Sequence, residues 1–262
     1  MKTPDITYLS LLFCSLLLIL PVLLSVLLRL KISTSIVITS IRMTIQLFLI
    51  GVFLKYLFHL NNKIVNIGWV LLMIIVTTFT VIKRNQLKMK IFLSPVLFSL
   101  IISLFVILLY FNIFVIKIKN ILHARYLIVI GGMLLGNSLR ANIIGIGNFY
   151  RKIKREENRY LYRLSTGGSV METLMPYFRE SLKAAINPTL ATMATMGIIA
   201  LPGMMTGQIL GGVSPILAIK YQITIMIAIF VTTTISIYLT ILLTIKTCFS
   251  SYGILSMKIF KN

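Results

Sequence analysis

The side chains able to do chemistry gather in one segment, PTLATMATMGIIALPGMMTGQILGGVSPILAIKYQ, residues 188–222. It holds the thioethers of Met193, Met196, Met204 and Met205, with the polar groups of Thr206 and Gln208 beside them. Thioethers favour soft ions such as Cu(I) over hard ferric iron. Methionine serves equally well as a gap-filler in apolar packing. A hard cation would have to use backbone carbonyls, Gln208, asparagine or threonine, and a chelated metal or an organic molecule is accommodated as easily. The same segment carries Pro188, Pro202 and Pro215 with Gly197, Gly203, Gly207, Gly211 and Gly212. Proline removes a backbone donor and glycine weakens a helix, so this stretch cannot be one plain helix.

Other chemistry is sparse. The acids are Asp5, Glu156, Glu157, Glu172 and Glu180. Cys14, Cys248, His59 and His123 are isolated from one another, which argues against a disulfide framework or a zinc site. No GxxxxGK[ST] occurs and no glycine is followed by lysine, so the chain has no Walker A phosphate cradle. Leu164-Ser165-Thr166-Gly167-Gly168 looks a little like the LSGGQ signature of ABC ATPases. The inserted threonine and the missing Walker motif make it a turn instead. No nucleophile has a base beside it. The chain reads as a non-enzyme without a cofactor, drawing its energy from elsewhere.

These residues must be held by helices in lipid. The chain is 58% apolar and 12% charged, with a mean hydropathy of +0.99. A soluble domain carries about 25% charged residues. Stretches of roughly 20 apolar residues, enough to span a bilayer, recur throughout. They predict an all-α polytopic transmembrane bundle of about seven spans: 8–28, 34–58, 64–82, 91–111, 126–147, 188–213 and 216–245. The sixth is broken by its prolines and glycines. A break at membrane depth is tolerated only where protein or a water-filled cavity receives the freed backbone groups, which is the anatomy of a transport path rather than of an anchor. Residues 1–262 read as one membrane domain, and the first span as a retained helix rather than a signal peptide. No acid falls in a predicted span, although proton- and sodium-coupled carriers place carboxylates there.

The formal net charge is +21. In this setting the basic residues set topology rather than bind nucleic acid. Placing the N-terminus outside puts Arg29, Lys31, Lys83, Arg84, Lys88 and Lys90 in the cytoplasm. The polar stretch 148–187 and the tail with Lys246, Lys258 and Lys261 fall there too. Fewer basic residues lie opposite: Lys55, Lys63, Lys117, Lys119, Arg125 and Lys220. The segment IKIKNILHAR (116–125) has the alternating basic pattern of an interfacial segment. The membrane is taken as a bacterial cytoplasmic (inner) membrane, with the N-terminus out and the C-terminus in.

Within 148–187, YRKIKREENRYLYRL looks helical, Ser165, Thr166, Gly167 and Gly168 form a turn, and VMETLMPYFRESLKAAI follows as an amphipathic stretch interrupted by Pro176. A helix, a small-residue turn and a short amphipathic helix below the membrane could dock into a groove on a partner; an ordinary basic loop at the lipid surface is the bland alternative. The arrangement is similar to the cytoplasmic coupling loop of bacterial ABC importer permeases, without that motif's acid and alanines. The chain more closely resembles the FetB-type family of iron (metal) export ABC permeases, related to the plant aluminium-tolerance half-transporters. The matching stretches are Arg42-x-x-x-Gln46-Leu47, RYLIVIGGMLLGNSLRANI (125–143), the loop, and LPGMMTGQILGGVSPILAIKYQI (201–223). Arg140 departs from the family, which has a small polar residue there; late in its span, it could snorkel to the cytoplasmic side. The resemblance implies a permease subunit working with a separate cytosolic ABC ATPase, with iron, another metal or a nucleotide sugar as cargo.

Arg42 and Gln46, four apart, share one helix face. A charge at that depth should face protein or water, so the pair lines the path or a subunit interface, or holds the bundle together. Asn137 and Ser138 follow GGMLLG, whose glycines allow close helix approach. The candidate path is therefore Arg42, Gln46, Asn137, Met204, Met205, Thr206 and Gln208, in a chain expected to pair as a homodimer around two ATPases. Two other readings use the same features: a membrane assembly or stress-response factor that binds through the loop, and a standalone secondary carrier. The missing intramembrane carboxylates count against the carrier.

The topology is directly testable. Reporter fusions at Lys88, near Glu157 and at the C-terminus should all report cytoplasm, whereas an external signal at Glu157 overturns the arrangement.

Overall fold

A computed structural model describes residues 6–116, 122–250, 252–256 and 259–260. Among these, six helical stretches are long and apolar enough to cross a membrane: Tyr8–Leu27, Ser33–Leu60, Lys63–Arg84, Met89–Val115, Ala124–Arg155 and Pro215–Cys248. The protein is a polytopic helical membrane protein. Parts of the basic pattern, Lys117, Lys119, Lys258 and Lys261, and half of the interfacial candidate 116–125, lie outside the described residues.

The first stretch is α1 (Tyr8–Leu16) and α2 (Ile19–Leu27). It breaks at Leu17 and Leu18 because Pro21 offers no N–H to the carbonyl four residues back and its ring crowds that turn. α3 (Ser33–Leu60) is about 42 Å long at 1.5 Å per residue. It ends at Asn61, whose backbone is left-handed at φ 40°. Asn62 caps α4 (Lys63–Arg84) by accepting from the Ile64 N–H at 2.9 Å. α5 (Met89–Tyr110) runs into a π-helical turn, Phe111–Ile116. α6 (Ala124–Arg155) is followed by α7 (Glu157–Ser165), α8 (Val170–Thr195), α9 (Gly203–Leu210) and α10 (Pro215–Cys248).

The stretch expected as the sixth span, 188–213, is not one long helix. Its first residues complete α8, 196–202 form the break, 203–210 are α9, and 211–213 turn the chain into α10. The interruption expected from proline and glycine is present. The helix leading into it differs from expectation, because α8 begins at Val170 and passes unbroken through Pro176 and Pro188. Neither proline ends it: one lost intrahelical bond is tolerable where flanking bonds and packing against α6 and α10 hold the helix. Most of the polar stretch 148–187 is accordingly helical rather than loop.

Hydrogen bonds identify the two ends of the bundle. At one end the Lys88 N–H donates to the Ile259 carbonyl at 2.8 Å, and the Tyr160 hydroxyl donates to the Gly253 carbonyl at 2.6 Å. The start of α5, the end of α6, α7 and the C-terminal tail therefore share this end, which also carries Arg151, Lys152 and Lys154. At the other, the Ala124 N–H donates to Asn61 Oδ1 at 3.0 Å and Asn66 Nδ2 donates to the Leu122 carbonyl at 2.9 Å. The ends of α3 and α5 and the starts of α4 and α6 meet there.

α10 is the spine, packing on α5, α6, α8 and α9. Its buried polar stripe includes Thr233, Ser236, Thr240 and Thr244, a helical spacing of three or four. Two direct bonds leave the stripe: the Ser99 and Thr240 hydroxyls meet at 2.5 Å, and Asn142 Nδ2 donates to Ser236 Oγ at 2.8 Å. Between them α6 comes close to α8 and α10 at Gly145, where a Cβ would stand 2.5 Å from Ile237 Cδ1 and 3.2 Å from Ala185 Cβ. Glycine is used here for close approach rather than for backbone freedom. By contrast α3 is exposed along nearly its whole length, with Leu57 its one buried residue.

Gly145→Val should therefore cost about 1–3 kcal/mol of stability by overpacking, measured by thermal unfolding in detergent. Ile237→Ala in the same chain should recover part of the loss, and Gly136→Val, with open space around the new side chain, should cost less.

Candidate functional site

The break after α8 opens a cleft of about 400 Å³. Asn137, Arg140, Ala141 and Ile144 line it from the middle of α6, and Pro188, Thr189 and Thr192 from α8. Met196, Pro202 and Gly203 contribute from the break, and Gln222, Met226 and Ile229 from the first half of α10. The backbone of the break is built locally. The Gly197 N–H, at φ +85°, donates to the Ala200 carbonyl at 2.9 Å, and the Ile199 N–H reaches the Thr195 carbonyl at 3.0 Å. Pro202 is the N-cap of α9, with no side-chain cap, and with Gly203 it puts the start of α9 at the cleft edge. After α9, Gly212 at φ +90° turns the chain and Ser214 caps α10, with Pro215 in its first turn.

The expected path residues are partly brought together. Asn137 lines the cleft, its Nδ2 donating to the Met133 carbonyl at 2.8 Å. Met204, Met205 and Thr206 lie on α9 within one helix turn of the cleft edge at Gly203, and Gln208 lies in the following turn. Met205 is buried, and the Thr206 hydroxyl donates to the Pro202 carbonyl at 3.1 Å. Gln208 keeps Oε1 buried without a hydrogen-bond partner. Arg42 and Gln46 stand on the exposed face of α3, outside the cleft lining. Among the described residues no three His, Cys, Asp or Glu side chains come together as a metal-ligand group.

Two cleft residues carry weight that sequence reasoning did not give them. Gln222, 7% exposed, donates from Nε2 toward the Met196 sulfur at 3.7 Å, tying α10 to the break. Arg140 is exposed into the cleft rather than drawn to the basic end. Its position on the Asn137 face, three residues on, was the available signal.

A second feature lies at the basic end. α7 and α8 meet at the turn Thr166–Ser169. Gly167 sits at φ +94°, its N–H donating to the Leu164 carbonyl at 3.3 Å. The Ser165 and Thr166 hydroxyls fold back on the Tyr162 and Arg163 carbonyls. Ser169 and Glu172 form a capping box: Ser169 Oγ accepts from the Glu172 N–H at 3.3 Å, and the Glu172 carboxylate accepts from the Ser169 N–H at 2.9 Å. The Ser-x-x-Glu spacing marks this helix start in the sequence. The hydroxyl and N–H of Ser169 hold the Glu172 carboxyl below its ordinary range. The C-terminal tail braces the turn, since a Cβ on Gly253 would come within 2.8 Å of Val170 and 2.9 Å of Leu164. Burial pushes the Tyr160 hydroxyl up to about 12, so it stays protonated as the donor to Gly253. Tyr162 and Met171 remain exposed beside the turn.

Comparison with known proteins locates this architecture. The uncharacterised protein family UPF0014 matches residues 8–249. The chain belongs to this family. A UPF0014 relative, the membrane protein YjkA of Bacillus subtilis, is 30% identical over 72% of this chain and 74% of its own length. The "Probable iron export permease protein FetB" of Escherichia coli is 28% identical over 96% of this chain and 95% of its own length. Protein ALUMINUM SENSITIVE 3 of Arabidopsis thaliana is 31% identical over 71% and 66%. The expected resemblance to the FetB-type family and its plant relatives is thereby established, and no solved structure matches the chain.

The capping box of this UPF0014 chain makes a pH-dependent statement. Ser169→Ala should destabilise the start of α8 by about 1 kcal/mol, seen as faster amide exchange at 170–173. Because the Glu172 pKa is lowered on folding, its contribution is full above the ordinary glutamate range and fades as pH falls through the folded value. Protection of these amides relative to their intrinsic exchange rates should thus fall in acid in the parent chain and less so in Ser169→Ala.

Proposed function

We propose that the chain is the permease subunit of an ABC transporter, energised by a separate cytosolic ATPase and exporting iron or another metal. The observation that carries the reading is the braced turn at the basic end. A left-handed glycine, a capping box and a packed tail hold one exposed turn in a fixed direction, with Tyr162 and Met171 free to enter a partner's groove. A chain without a phosphate cradle of its own needs such a contact to couple ATP hydrolysis to its helices. The Escherichia coli relative is named a probable iron export permease and aligns along nearly its whole length, which supports the cargo class.

In this reading the basic end faces the cytoplasm of a bacterial inner membrane, with the N-terminus out and the C-terminus in, as the excess of Lys and Arg favours. The broken span is the moving part. Discontinuous helices mark cargo sites in other transporters, and Met204, Met205, Thr206 and Gln208 lie on its short outer arm. The working unit is a homodimer. Arg42 and Gln46 sit one turn apart on the exposed face of α3, nine and thirteen residues into a 28-residue span. A charge facing acyl chains at that depth is costly; a second copy seated on α3 would cover it.

The test is recovery of the cognate ATPase with the tagged permease. Proline holds φ near −65° and has no N–H, so Gly167→Pro removes both the +94° conformation and the bond to Leu164. ATPase recovery should drop about tenfold or more, a change of about 1.4 kcal/mol, while the permease elutes as a folded peak. Undiminished recovery would put the ATPase contact elsewhere.

A further inference from the structure

The cleft beside the broken span is positively charged and holds no acid. Arg140 lies near the centre of α6, exposed into the cleft, without a hydrogen bond or ion pair to any described residue. No carboxylate lines the cleft. The glutamates of α8 lie in its first half: Glu172 is held in the capping box and Glu180 is paired with Lys152. A guanidinium left unpaired at membrane depth is costly, and no acid among the described residues is paired with it.

The charge is also placed on a track. Ile144 lines both this cleft and a second depression closer to the basic end, where Arg151 and Arg155 continue the same face of α6. Positions 140, 144, 147, 151 and 155 recur at three and four residues, one stripe of a helix. Arg151 is about 16 Å from Arg140 along the axis at 1.5 Å per residue. At the far side of the cleft the uncapped start of α9 adds the partial positive charge of a helix N-terminus. Thr189, Thr192 and Gln222 supply neutral hydrogen-bonding groups around the guanidinium.

We infer that this cleft is an anion subsite, in which Arg140 is the counter-charge for a phosphate or carboxylate group. A planar guanidinium offers a forked set of donors matched to both groups. A bare divalent or trivalent cation would meet a like charge and no carboxylate. The cargo that fits carries net negative charge, and a metal enters only inside an anionic complex. The step from binding to passage rests on the transport reading above; the binding itself does not.

The experiment uses the full chain in phosphatidylcholine nanodiscs, without any ATPase, and measures equilibrium binding of radiolabelled pyrophosphate, radiolabelled citrate and Fe²⁺ alone. The anions should bind saturably. Arg140→Gln should weaken them about tenfold or more, the scale of a lost charge-assisted hydrogen bond, and Arg140→Lys should stay within about threefold. Thr192→Phe keeps the charge and fills the cleft, and should weaken anion binding as well; it serves if Arg140→Gln does not fold. Anion binding indifferent to both Arg140→Gln and Thr192→Phe would overturn the inference. So would Fe²⁺ binding that Thr192→Phe abolishes and Arg140→Gln strengthens. Repeating the titration in phosphatidylglycerol nanodiscs separates the sources: competition identifies a lipid headgroup as the anion, and persistence a soluble one. Loss of the anion site would leave the ATPase recovery result untouched, and loss of ATPase binding would leave the anion site standing, so the two readings fail separately.

Discussion

Backbone polar groups inside a bilayer have no water to fall back on, and the rest of this structure is arranged around one place where helix does not satisfy them. Between Thr195 and Gly203 the ladder stops. A turn closed from Gly197 to Ala200 pairs some of the freed groups. Gln222 reaches across to Met196 from α10, and the middle of α6 walls the other side. What is left is a cleft whose polar lining exists because a helix was interrupted there. Proline at 202 and glycines at 197 and 203 are the local means; the flanking helices make the interruption affordable.

Holding those flanking helices falls to α10. In lipid there is little hydrophobic drive between helices, so association rests on close packing and on cross-helix hydrogen bonds of about 0.6 kcal/mol each on average. α10 uses both. Many threonine hydroxyls bond to carbonyls of their own helix, as Thr232 does to Ala228, which buries them at little cost. Ser236 and Thr240 reach instead to α6 and α5. Gly145 lets α6 sit against Ile237 and Ala185, bringing Asn137 and Arg140 on the same helix up to the cleft.

Charge is segregated along the same axis. The acids among the described residues all stand in the polar region around α7 and early α8, where Glu156 lies within 4.0 Å of Lys152 and Arg155 and 3.7 Å of Arg159. These pairs, at least partly open to solvent and at the long end of ion-pair distances, add little to stability. Their effect is positional, since they neutralise part of the basic end and leave Arg140, deeper in the bundle, without a partner among the described residues. The basic end is further consolidated by aromatic packing of Phe92 on Tyr150 and of Phe249 on Tyr160, at 5.2 and 6.1 Å between centroids. The turn between α7 and α8 is thereby attached to the same helices that wall the cleft, since α6 leads into α7 and α8 leads out of the turn.

The sequence by itself determined the solvent, the helices and the break. Apolar runs of spanning length, basic residues between them, and the prolines and glycines of 188–215 are local patterns whose physics needs no partner. They located six long apolar helices, the turn at Gly167 and the interruption near Pro202. The helical continuity through Pro176 and Pro188 was not legible, because a proline's local penalty is outweighed only by neighbours that the sequence does not position. Nor was the placement of Arg140 in the cleft, where it was read as a side chain escaping to the interface, or that of the tail that braces the turn through Gly253. Only the tertiary structure decided which faces meet: Gln222 with Met196, Gly145 with Ile237, Tyr160 with Gly253. A helical period says which residues share a face; what that face meets depends on how helices distant in sequence cross, and close packing settles that.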